Sequence, residues 1–566
     1  MSRYRNYTRF DDPAQTVGDL GFLGVDCKRE PSVLKPGLCS WSENNRFVTG
    51  AAATRGGMVA PLFAQPTEPI FGSGIYSDPD GTEWLMQARA TSVVLTRNGR
   101  TPITIALPAD VTLSASCELV QCFAQVILFR GTSPLVDLSP LSWSGDFADD
   151  FVPIIPSETG TGTESIPAAV TGEVFGDQLV IPINRDELIF SDRLDFTHFD
   201  PVFSQAKISK GTDEEIVRIL PYTRSSILIF KTASIYALTN LVGSFAENAQ
   251  LEEVNRNLGC FARRSVAMVG GDAFFLSSTG IYRVQQVIQD RIQTAAVPVS
   301  EPIDPIIKRI NWEYAADAVG VVFGAFYYLA VPLDSSTVNN AILVFDTTSN
   351  QWQGIDSTEF ALAVGDFRVH DFQGAKRLFA MDYVNSRVFV MEEGLSDVIG
   401  NTNYPIATRL DTRGYAVEDP TTLKRFTAVK AALGTWWPTY TITAVAPGIN
   451  EVQPLALAVA KSRLRFDLFG KPDFDPTEAP SASNDPTAPR RQDYSVDLTG
   501  GVYLDGLTGE GTQLDLQQDH LERNPVRPSG ARWLQIRITN TRGTIAVHAI
   551  TLEGINNAQN NLRATV

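Results

Sequence analysis

Residues 226–238 of this 566-residue chain have the sequence SILIFKTASIYAL. Two short apolar runs, at 227–230 and 235–238, flank a polar turn that begins at Lys231. Because β-branched and aromatic residues favour strands and small polar residues favour turns, this stretch predicts a β-hairpin. A lone hairpin cannot bury both of its faces, so it needs further strands to pack against.

The same hairpin pattern returns between about residues 57 and 400. Its other copies lie around residues 83–95, 125–131, 272–284, 325–346 and 377–391. The copies are about 40–55 residues apart, the size of a four-stranded propeller blade, except for a longer gap before the copy at 226–238. We therefore predict an all-β fold with a β-propeller of about six blades over residues 57–400.

The regions on either side of the propeller have a different character. Residues 1–56 are polar and irregular, and they predict an N-terminal extended arm that lies against other domains or subunits. Strand patterns resume over 405–556 and alternate cleanly at 533–539, which predicts a C-terminal β-sandwich-like domain. A short tail, 557–566, follows. A chain of this length also exceeds the roughly 250–300 residues at which single cores stop growing.

A long loop insertion interrupts the propeller pattern at about residues 141–175. Its densest acidic group is Asp146, Asp149 and Asp150, which have aromatic neighbours. The favoured interpretation is a solvated loop, and the alternatives are a calcium site or the carboxylate pair of a glycosidase. The sequence leaves open whether this loop faces an interior channel or the outside of the molecule. The candidate residues for a channel or contact loop are Asp146, Asp149, Asp150, Glu158 and Glu164.

The chain is acidic, with a net charge of −17. Holding nucleic acid by general phosphate neutralisation needs clustered Lys and Arg, so this class of binding is not expected. The negative charge also argues against binding to an anionic membrane surface. Surface carboxylates explain ordinary solubility, and they equally suit a surface past which DNA slides without sticking.

Cysteine and histidine usage predicts neither a disulfide framework nor a metal centre. The five cysteines are an odd number and sparse for this length, which favours buried thiols in a reducing cytoplasm. The four histidines, His198, His370, His520 and His548, are at least 28 residues apart, and no HExxH pair occurs. We therefore expect no metal and no cofactor.

Sequence motifs for catalysis and membrane insertion are also missing. The chain lacks P-loop and GxGxxG signatures, and the stretch 77–84, SDPDGTEW, departs from the Asp-box of sialidase-type propellers because Pro79 replaces its Asp. Its apolar runs reach only about 5–8 residues, well short of the ~20 of a transmembrane helix. The sequence thus predicts a non-enzymatic protein without a membrane span.

Several segments together resemble a known family. These are the arm phrase at 26–37, ELIFS at 187–191, FTHFDP at 196–201, the hairpin at 227–236, GCFARRSV at 259–266 and FFLSSTGIY at 274–282. Their order is similar to that in podophage tail β-propeller proteins, the tail tubular protein B-like nozzles and packaged-DNA stabilisation proteins of short-tailed phages. The resemblance covers roughly residues 20–400 and, more loosely, the C-terminal region.

The resemblance implies a structural role in the virion tail, after assembly in the host cytoplasm. A homo-oligomeric ring of about six copies would continue the DNA channel below the portal and adaptor, retain packaged DNA and conduct it on ejection. Its partners would be other copies of itself, the tail adaptor protein, a tail fibre or spike, and genomic DNA that passes without sequence-specific binding. The family has no catalytic residues to carry over.

Two other function classes remain as alternatives. A host-glycan or receptor-binding tail propeller would use loops such as the one with Trp436 and Trp437, although adjacent tryptophans more often pack at strand ends. A glycan-cleaving propeller enzyme would need inward carboxylates near the propeller axis, about 5–10 Å apart.

Overall fold

The computed structural model describes residues 15–79, 81–140, 151–154, 168–199, 204–209, 211, 213–241, 249–287, 291–294, 297–372, 374–416, 424–434, 464–469, 490–493, 520–525, 529–531, 533, 535–540 and 545–556. Nearly all of the regular structure is β, which confirms the all-β class. The helical elements of this part are a single turn each, namely Pro31–Val33, Arg263–Ser265, Glu301–Ile303, Asp304–Ile307 and Ala315–Asp317. None of the helices in the described ranges is long and apolar enough to cross a membrane.

The first strands belong to the N-terminal segment. They are β1 (Gln15–Asp19), β2 (Gly24–Val25), β3 (Leu38–Cys39), β4 (Trp41–Glu43), β5 (Asn45–Val48) and β6 (Ala51–Thr54).

Seven antiparallel sheets then follow one another along the chain, and we number them blades 1 to 7. Blade 1 contains β7 (Gly72–Ser77), β8 (Glu83–Ala88), β9 (Ser92–Thr96) and β10 (Ile103–Ala106). Blade 2 contains β11 (Glu118–Cys122), β12 (Gln125–Arg130), β13 (Ser133–Pro140) and β14 (Phe151–Ile154). Blade 3 contains β15 (Glu173–Phe175), β16 (Gln178–Ile183), β17 (Glu187–Asp192), β18 (Asp195–Phe199) and β19 (Gln205–Lys207).

The remaining blades repeat this meander. Blade 4 contains β20 (Ile216–Thr223), β21 (Ser226–Lys231), β22 (Ile235–Thr239) and β23 (Gln250–Asn255). Blade 5 contains β24 (Ala267–Val269), β25 (Asp272–Ser277), β26 (Gly280–Val287) and β27 (Arg291–Thr294). Blade 6 contains β28 (Val319–Phe323), β29 (Phe326–Val331), β30 (Ala341–Asp346) and β31 (Gln351–Asp356), and blade 7 contains β32 (Val364–Phe372), β33 (Ala375–Asp382) and β34 (Arg387–Val390).

The seven sheets close into a β-propeller. The first strand of each blade contacts the first strand of the next, and β32 contacts β7, so these inner strands form a ring; between blades 4 and 5 the contact runs through the turn Arg263–Ser265. An antiparallel bridge between Val59 and Val390 adds a segment from before blade 1 to the outer edge of blade 7. Closure thus uses chain from both ends of the propeller, and it leaves only short edges.

Apolar packing follows the same ring, because every pair of consecutive blades shares a hydrophobic cluster. Met86 and Leu128 share the cluster between blades 1 and 2, for example. At the closing seam, Leu85 of blade 1 packs with Phe379 and Val390 of blade 7. Each blade therefore buries both of its faces against neighbours, as the hairpin pattern requires.

The structure has seven blades where the sequence predicted about six. The additional one is blade 3, which fills the longer gap before residues 226–238. Its two central strands, β16 and β17, join through the polar turn at 184–186 and are fully buried in their middle residues. The interval from Gln125 to Ser226 is about two blade periods, so the spacing is regular once blade 3 is included. Pro182 interrupts the apolar run of β16, which weakens the hairpin signal in the sequence.

The meander also defines two faces of the propeller. Each inner strand begins at one face, which we call the upper face. Because strands alternate in direction, the turns between the first and second strands and between the third and fourth strands of a blade lie at the opposite, lower face.

Apart from the first two, which pair with each other, the C-terminal strands form two sheets with the N-terminal ones. They are β35 (Asp397–Ile399), β36 (Thr402–Tyr404), β37 (Thr408–Asp411), β38 (Lys424–Gly434), β39 (Leu464–Phe469), β40 (Arg490–Asp493), β41 (His520–Pro525), β42 (Ser529–Ala531), β43 (Gln535–Asn540) and β44 (Ala546–Asn556). One sheet has the order β41-β38-β44-β6-β5, with β1 also paired to β44, and the other extends blade 6 through β4, β37, β43, β39 and β40. Ile538 and Leu552 of the two sheets share one core cluster, as expected for a sandwich-like packing.

The N-terminal segment is thus built into the C-terminal sheets. The sequence predicted residues 1–56 as an extended arm, and the described part from Gln15 onward instead supplies six strands. β5 pairs with the neighbouring β6, whereas β1, β4 and β6 pair with strands several hundred residues away, such as Val17 with Leu552, so local sequence does not indicate those pairings.

Candidate functional site

Charged and polar side chains converge on the upper mouth of the propeller axis. Almost every inner strand contributes one at or just before its start, and these recur about 45–55 residues apart, once per blade. We call this set the axial charge cluster, and its members are Ser73, Glu118, Glu173, Arg218, Arg263, Arg264, Asp317, Asp366 and Arg368.

One half of the cluster is organised by Arg218 of blade 4. Its Nη1 donates to Glu118 Oε1 of blade 2 at 2.6 Å and to Thr171 Oγ1 at 2.9 Å. Its Nη2 donates to Glu173 Oε1 of blade 3. Arg263 of blade 5 approaches the same Glu118 from across the axis, with its Nε 3.8 Å from Oε2. Glu118 of blade 2 thus contacts blades 4 and 5, neither of which adjoins blade 2, and this places the side chains at the axis.

The other half is organised by Asp366 and two arginines. Arg368 Nη2 lies 2.7 Å from Asp366 Oδ2 and also donates to the carbonyl oxygen of Ser73 at 2.8 Å, joining blade 7 to blade 1. Ser73 Oγ donates to the same Asp366 oxygen at 2.5 Å. Arg264 donates to the carbonyl oxygen of Gly365 at 2.8 Å and lies 3.5 Å from Asp317.

Close approach of the inner strands depends on glycine. A Cβ atom at Gly72 would lie 2.5 Å from the carbonyl oxygen of Cys117, where β7 meets the start of β11. A Cβ atom at Gly365 would lie 2.1 Å from the ring of Tyr383, whose hydroxyl donates to Asp366 at 3.3 Å. The narrow mouth therefore has no room for larger residues at these positions.

The electrostatics keep Glu118 ionised. Burial alone would raise its pKa, but Arg218 and Arg263 outweigh burial and lower the pKa of Glu118 to about 2. For Glu173 burial is the dominant influence, followed by the opposing charge of Arg218 and the like charge of Glu118, and its pKa is raised. Burial lowers the pKa of Arg263, and its neighbours Arg264 and Arg218 lower it further. Guanidinium charge is thus concentrated around Glu118.

Chemically, the cluster is a network of mutually neutralised ion pairs. It contains four arginines and four carboxylates, so its net charge is zero. The side chains of Glu118, Arg218 and Glu173 are 9%, 16% and 21% exposed, so the mouth is partly accessible. Within the described ranges, no group of three or more His, Cys, Asp or Glu side chains is placed to hold a metal ion.

A second set of arginine ion pairs lies where the N-terminal strands, the last blades and the C-terminal sheets meet. Arg55 donates two hydrogen bonds to Asp397, at 2.8 and 2.7 Å, and Arg46 donates to Asp356 at 2.9 Å. We call these the junction pairs, together with Arg413–Asp19, at 2.9 Å, and Arg537–Asp411, at 2.8 Å. Each one connects residues more than 100 positions apart in the sequence.

The acidic residues singled out from the sequence lie elsewhere. Asp146, Asp149, Asp150, Glu158 and Glu164 fall outside the described residues, as do Trp436 and Trp437. The strands that flank the first three belong to the outer edge of blade 2, where Pro140 of β13 pairs with Phe151 of β14.

The axial charge cluster itself was missed from the sequence. A signal was present, since a charged residue stands just before or within the first strand of successive blades at the blade period. Arg263 and Arg264 were noted only as part of a family-like segment. A charged residue at a strand start has an ordinary explanation in a solvated strand end, and only the ring brings these ends together.

Comparison with known proteins adds no family. No family model matches the chain, and no curated protein matches it. Solved structures with similarity include BBS1N in complex with ARL6DN, at 9% identity and a TM-score of 0.37, covering 60% of this chain and 95% of that chain. Virginiamycin B lyase from Staphylococcus aureus with quinupristin has 9% identity and a TM-score of 0.37, with coverages of 59% and 97%. Saccharomyces cerevisiae Sqt1 has 8% identity and a TM-score of 0.38, with coverages of 60% and 100%. Likeness at this level carries nothing about function.

Proposed function

We propose that this chain is a structural component of a short-tailed bacteriophage tail. It forms a homo-oligomeric nozzle that continues the DNA channel, retains packaged DNA and conducts it on ejection. The proposal starts from the family resemblance of segments such as 227–236 and 259–266. In the fold these segments form the central hairpin of blade 4 and the turn that carries Arg263 and Arg264 to the axis.

The observation that carries the proposal is the charge distribution. The axial charge cluster has no net charge, so the −17 of the chain resides entirely in its other residues. A conduit for DNA benefits from such an excess, because an acidic lining repels phosphates whereas a basic lining would hold them. The ion pairs of the cluster brace the propeller axis, which suits a rigid wall element of the conduit.

The proposed assembly has defined partners. About six copies surround the channel, with the tail adaptor protein above and a tail fibre or spike attached. DNA passes without sequence-specific contacts. The chain acts through shape, charge and assembly rather than through catalysis.

Electron cryo-microscopy of the virion tests this proposal directly. We expect density for the seven-bladed propeller in a ring around the axial channel, below the portal and adaptor. Density for the chain away from the channel would reject the nozzle role. Virions that lack the chain and still retain their DNA after packaging would reject its role in retention.

One observation favours a second candidate function, cleavage of host glycans. Glu118 and Glu173 bind the same guanidinium near the axis, and their pKa values are displaced in opposite directions, as in acid and base pairs of hydrolases. Incubation of the purified chain with host polysaccharide tests it. Cleavage that is abolished in both Glu118→Gln and Glu173→Gln would establish this function, and an intact polysaccharide would reject it.

A further inference from the structure

Two apolar residues occupy a backbone conformation that apolar residues rarely adopt. Eleven described residues other than glycine have positive φ, between 49° and 60°. Nine of them are polar: Asn44, Thr49, Asn184, Ser209, Asn240, Asp334, Asn350, Ser386 and Glu392. The other two are Phe123, with φ of 53°, and Leu194, with φ of 60°. The left-handed region is sterically unfavourable for a residue with a Cβ atom, and Gly or Asn normally takes such turn positions.

These two residues are also exposed and lie close in the fold. Phe123 is 55% exposed and Leu194 is 67% exposed. Phe123 sits in the turn between β11 and β12, and Leu194 in the turn between β17 and β18, so both lie at the lower face of the adjacent blades 2 and 3. The ring of Phe123 stacks on Phe196, two residues beyond Leu194, with centroids 5.7 Å apart. We call this pair, Phe123 and Leu194, the lower-face knob.

The knob breaks two local rules at once. Turn chemistry favours Gly or Asn at these positions, and solvent favours polar side chains. Local rules are broken mainly where a function compensates for the cost. Single exposed apolar side chains are common, but two that lie together in strained turns suit a contact surface better than open solvent.

An apolar cavity lies on the other side of the propeller. It has a volume of about 260 Å³ and opens beside the turn between β28 and β29, the lower-face turn of blade 6. Its aromatic walls are Phe323, Phe326 and Tyr328, and the paired Arg46 and Glu392 form its polar side. The cavity is smaller than the roughly 300–1,000 Å³ of small-molecule pockets, so a large apolar side chain suits it better than a drug-sized ligand.

The positions of knob and cavity exclude contact within one chain. Blades 2 and 3 stand three or four blades away from blade 6 in a ring of seven, which is the opposite side of the propeller. A second copy of the chain, by contrast, offers a cavity to the knob of the first. Every copy then carries the knob on one side and the cavity on the other, and such a head-to-tail contact generates a ring when the rotation between copies closes.

We propose that the lower-face knob of one copy inserts into the cavity lined by Phe323, Phe326 and Tyr328 of another copy. This inference rests on the proposed function, since it assigns the contact between copies that a nozzle requires. The apolar knob side chains lose water in the contact, which also explains why strained turns carry them.

Asparagine substitutions separate this contact from folding. Asn tolerates positive φ, so Phe123→Asn with Leu194→Asn relieves the turns, and the single chain should stay folded although the stack on Phe196 is lost. Self-association, measured by native mass spectrometry across a concentration series, should weaken by at least about tenfold, because two apolar side chains no longer leave water. The matched control is Val384→Asn, which changes a 64% exposed residue in an upper-face turn of blade 7 and should leave association unchanged.

A crosslink identifies the partner surface. The five native cysteines are buried or half-buried, so introduced thiols are the reactive ones. Phe123→Cys and Ala325→Cys variants, prepared separately and mixed under mild oxidation, should form a disulfide between copies, whereas neither variant alone should do so. A double-Asn variant that associates like the wild type, or mixed cysteine variants without crosslinking, overturns the contact.

The failures of the two proposals are distinguishable. If virion imaging places the chain in the tail but the Asn variants assemble normally, the nozzle role stands and the knob contact is rejected. If the crosslink forms but the chain lies outside the tail channel, the contact stands and the nozzle role is rejected. A wild-type chain that stays monomeric at every concentration rejects the contact.

Discussion

The axial charge cluster and the junction pairs both consist of arginines paired with carboxylates, but the two sets differ in how far they are buried. In the junction, Arg55 and Asp397 are 1% and 2% exposed and bind each other through two hydrogen bonds. At the axis, Arg218 is 16% exposed and divides its guanidinium between Glu118 and Glu173. Water reaches Arg218 in part and hardly reaches Arg55 and Asp397, so loss of one partner should cost more in this junction pair.

The largest effect is expected from breaking a junction pair. Asp397→Asn leaves the Arg55 charge buried without a counter-ion, and we expect the free energy of unfolding to fall by about 3–5 kcal/mol. Urea unfolding followed by intrinsic fluorescence measures this change. The control is Asp334→Asn, which breaks the exposed two-hydrogen-bond pair with Arg309 and should cost only about 0–1 kcal/mol. Equal losses in the two variants would contradict the role assigned to burial.

A buried histidine, His370, lies at the seam where blade 7 meets blade 1. His370 of blade 7 is fully buried, neither ring nitrogen has a hydrogen-bond partner in the described part of the chain, and burial lowers its pKa from 6.5 to about 4. The unfolded chain therefore takes up this proton at higher pH than the folded chain. Stability should fall as the pH drops from 6.5 to about 4, by about 3 kcal/mol from this group.

Comparison with a ring-retaining variant isolates the histidine contribution. His370→Phe keeps the edge contact with Phe379 and removes the titrating group. We expect thermal melts of this variant to lose the pH dependence between 6.5 and 4 that the wild type shows. The same slope in both proteins would refute the assignment.

The axial charge cluster should respond to acid at lower pH. The pKa of Glu118 is about 2 in the folded chain against an ordinary value of 4.5, so its contribution is complete above 4.5 and is lost as the pH falls toward 2. Glu118→Gln should therefore lower stability at neutral pH by about 2–3 kcal/mol, after allowance for part-exposed partners, and this deficit should shrink in acid. Glu301→Gln, in the exposed pair with Lys28, is the control and should show little deficit at any pH.

The smallest effect concerns thiols that report on each region. Burial raises the pKa of Cys117 to about 12 beside the axial charge cluster, and burial raises the pKa of Cys39 beside Asp19 and Asp411 of the junction. We expect no alkylation of either in the native chain, by peptide mass mapping. Glu118→Gln should speed labelling of Cys117, whereas Asp411→Asn should speed that of Cys39. Labelling of the same cysteine in both variants would show that the regions open together.

Much of the fold was predictable because strand and turn preferences are local. The hairpin at 226–238 forms β21 and β22, and the other hairpin copies all form paired strands. Blade 3 was not predicted because Pro182 interrupts the apolar run of β16, although the interval between the hairpins on either side of it is about two blade periods. The axial charge cluster was not predictable, since Glu118 and Arg218 are 100 residues apart and nothing local to either indicates the other.

The sequence by itself determined an all-β chain with a repeating hairpin, an acidic balance and no disulfide framework, because composition and strand periodicity are properties of neighbouring residues. Only the tertiary structure decided the number of blades, the closure through Val59 and Val390, the strands that the N-terminal segment lends to the C-terminal sheets, and the ring of charges at the axis. These features depend on hydrogen bonds and ion pairs between segments far apart in the chain. Their partners are chosen by packing of the whole molecule, which no short stretch of sequence encodes.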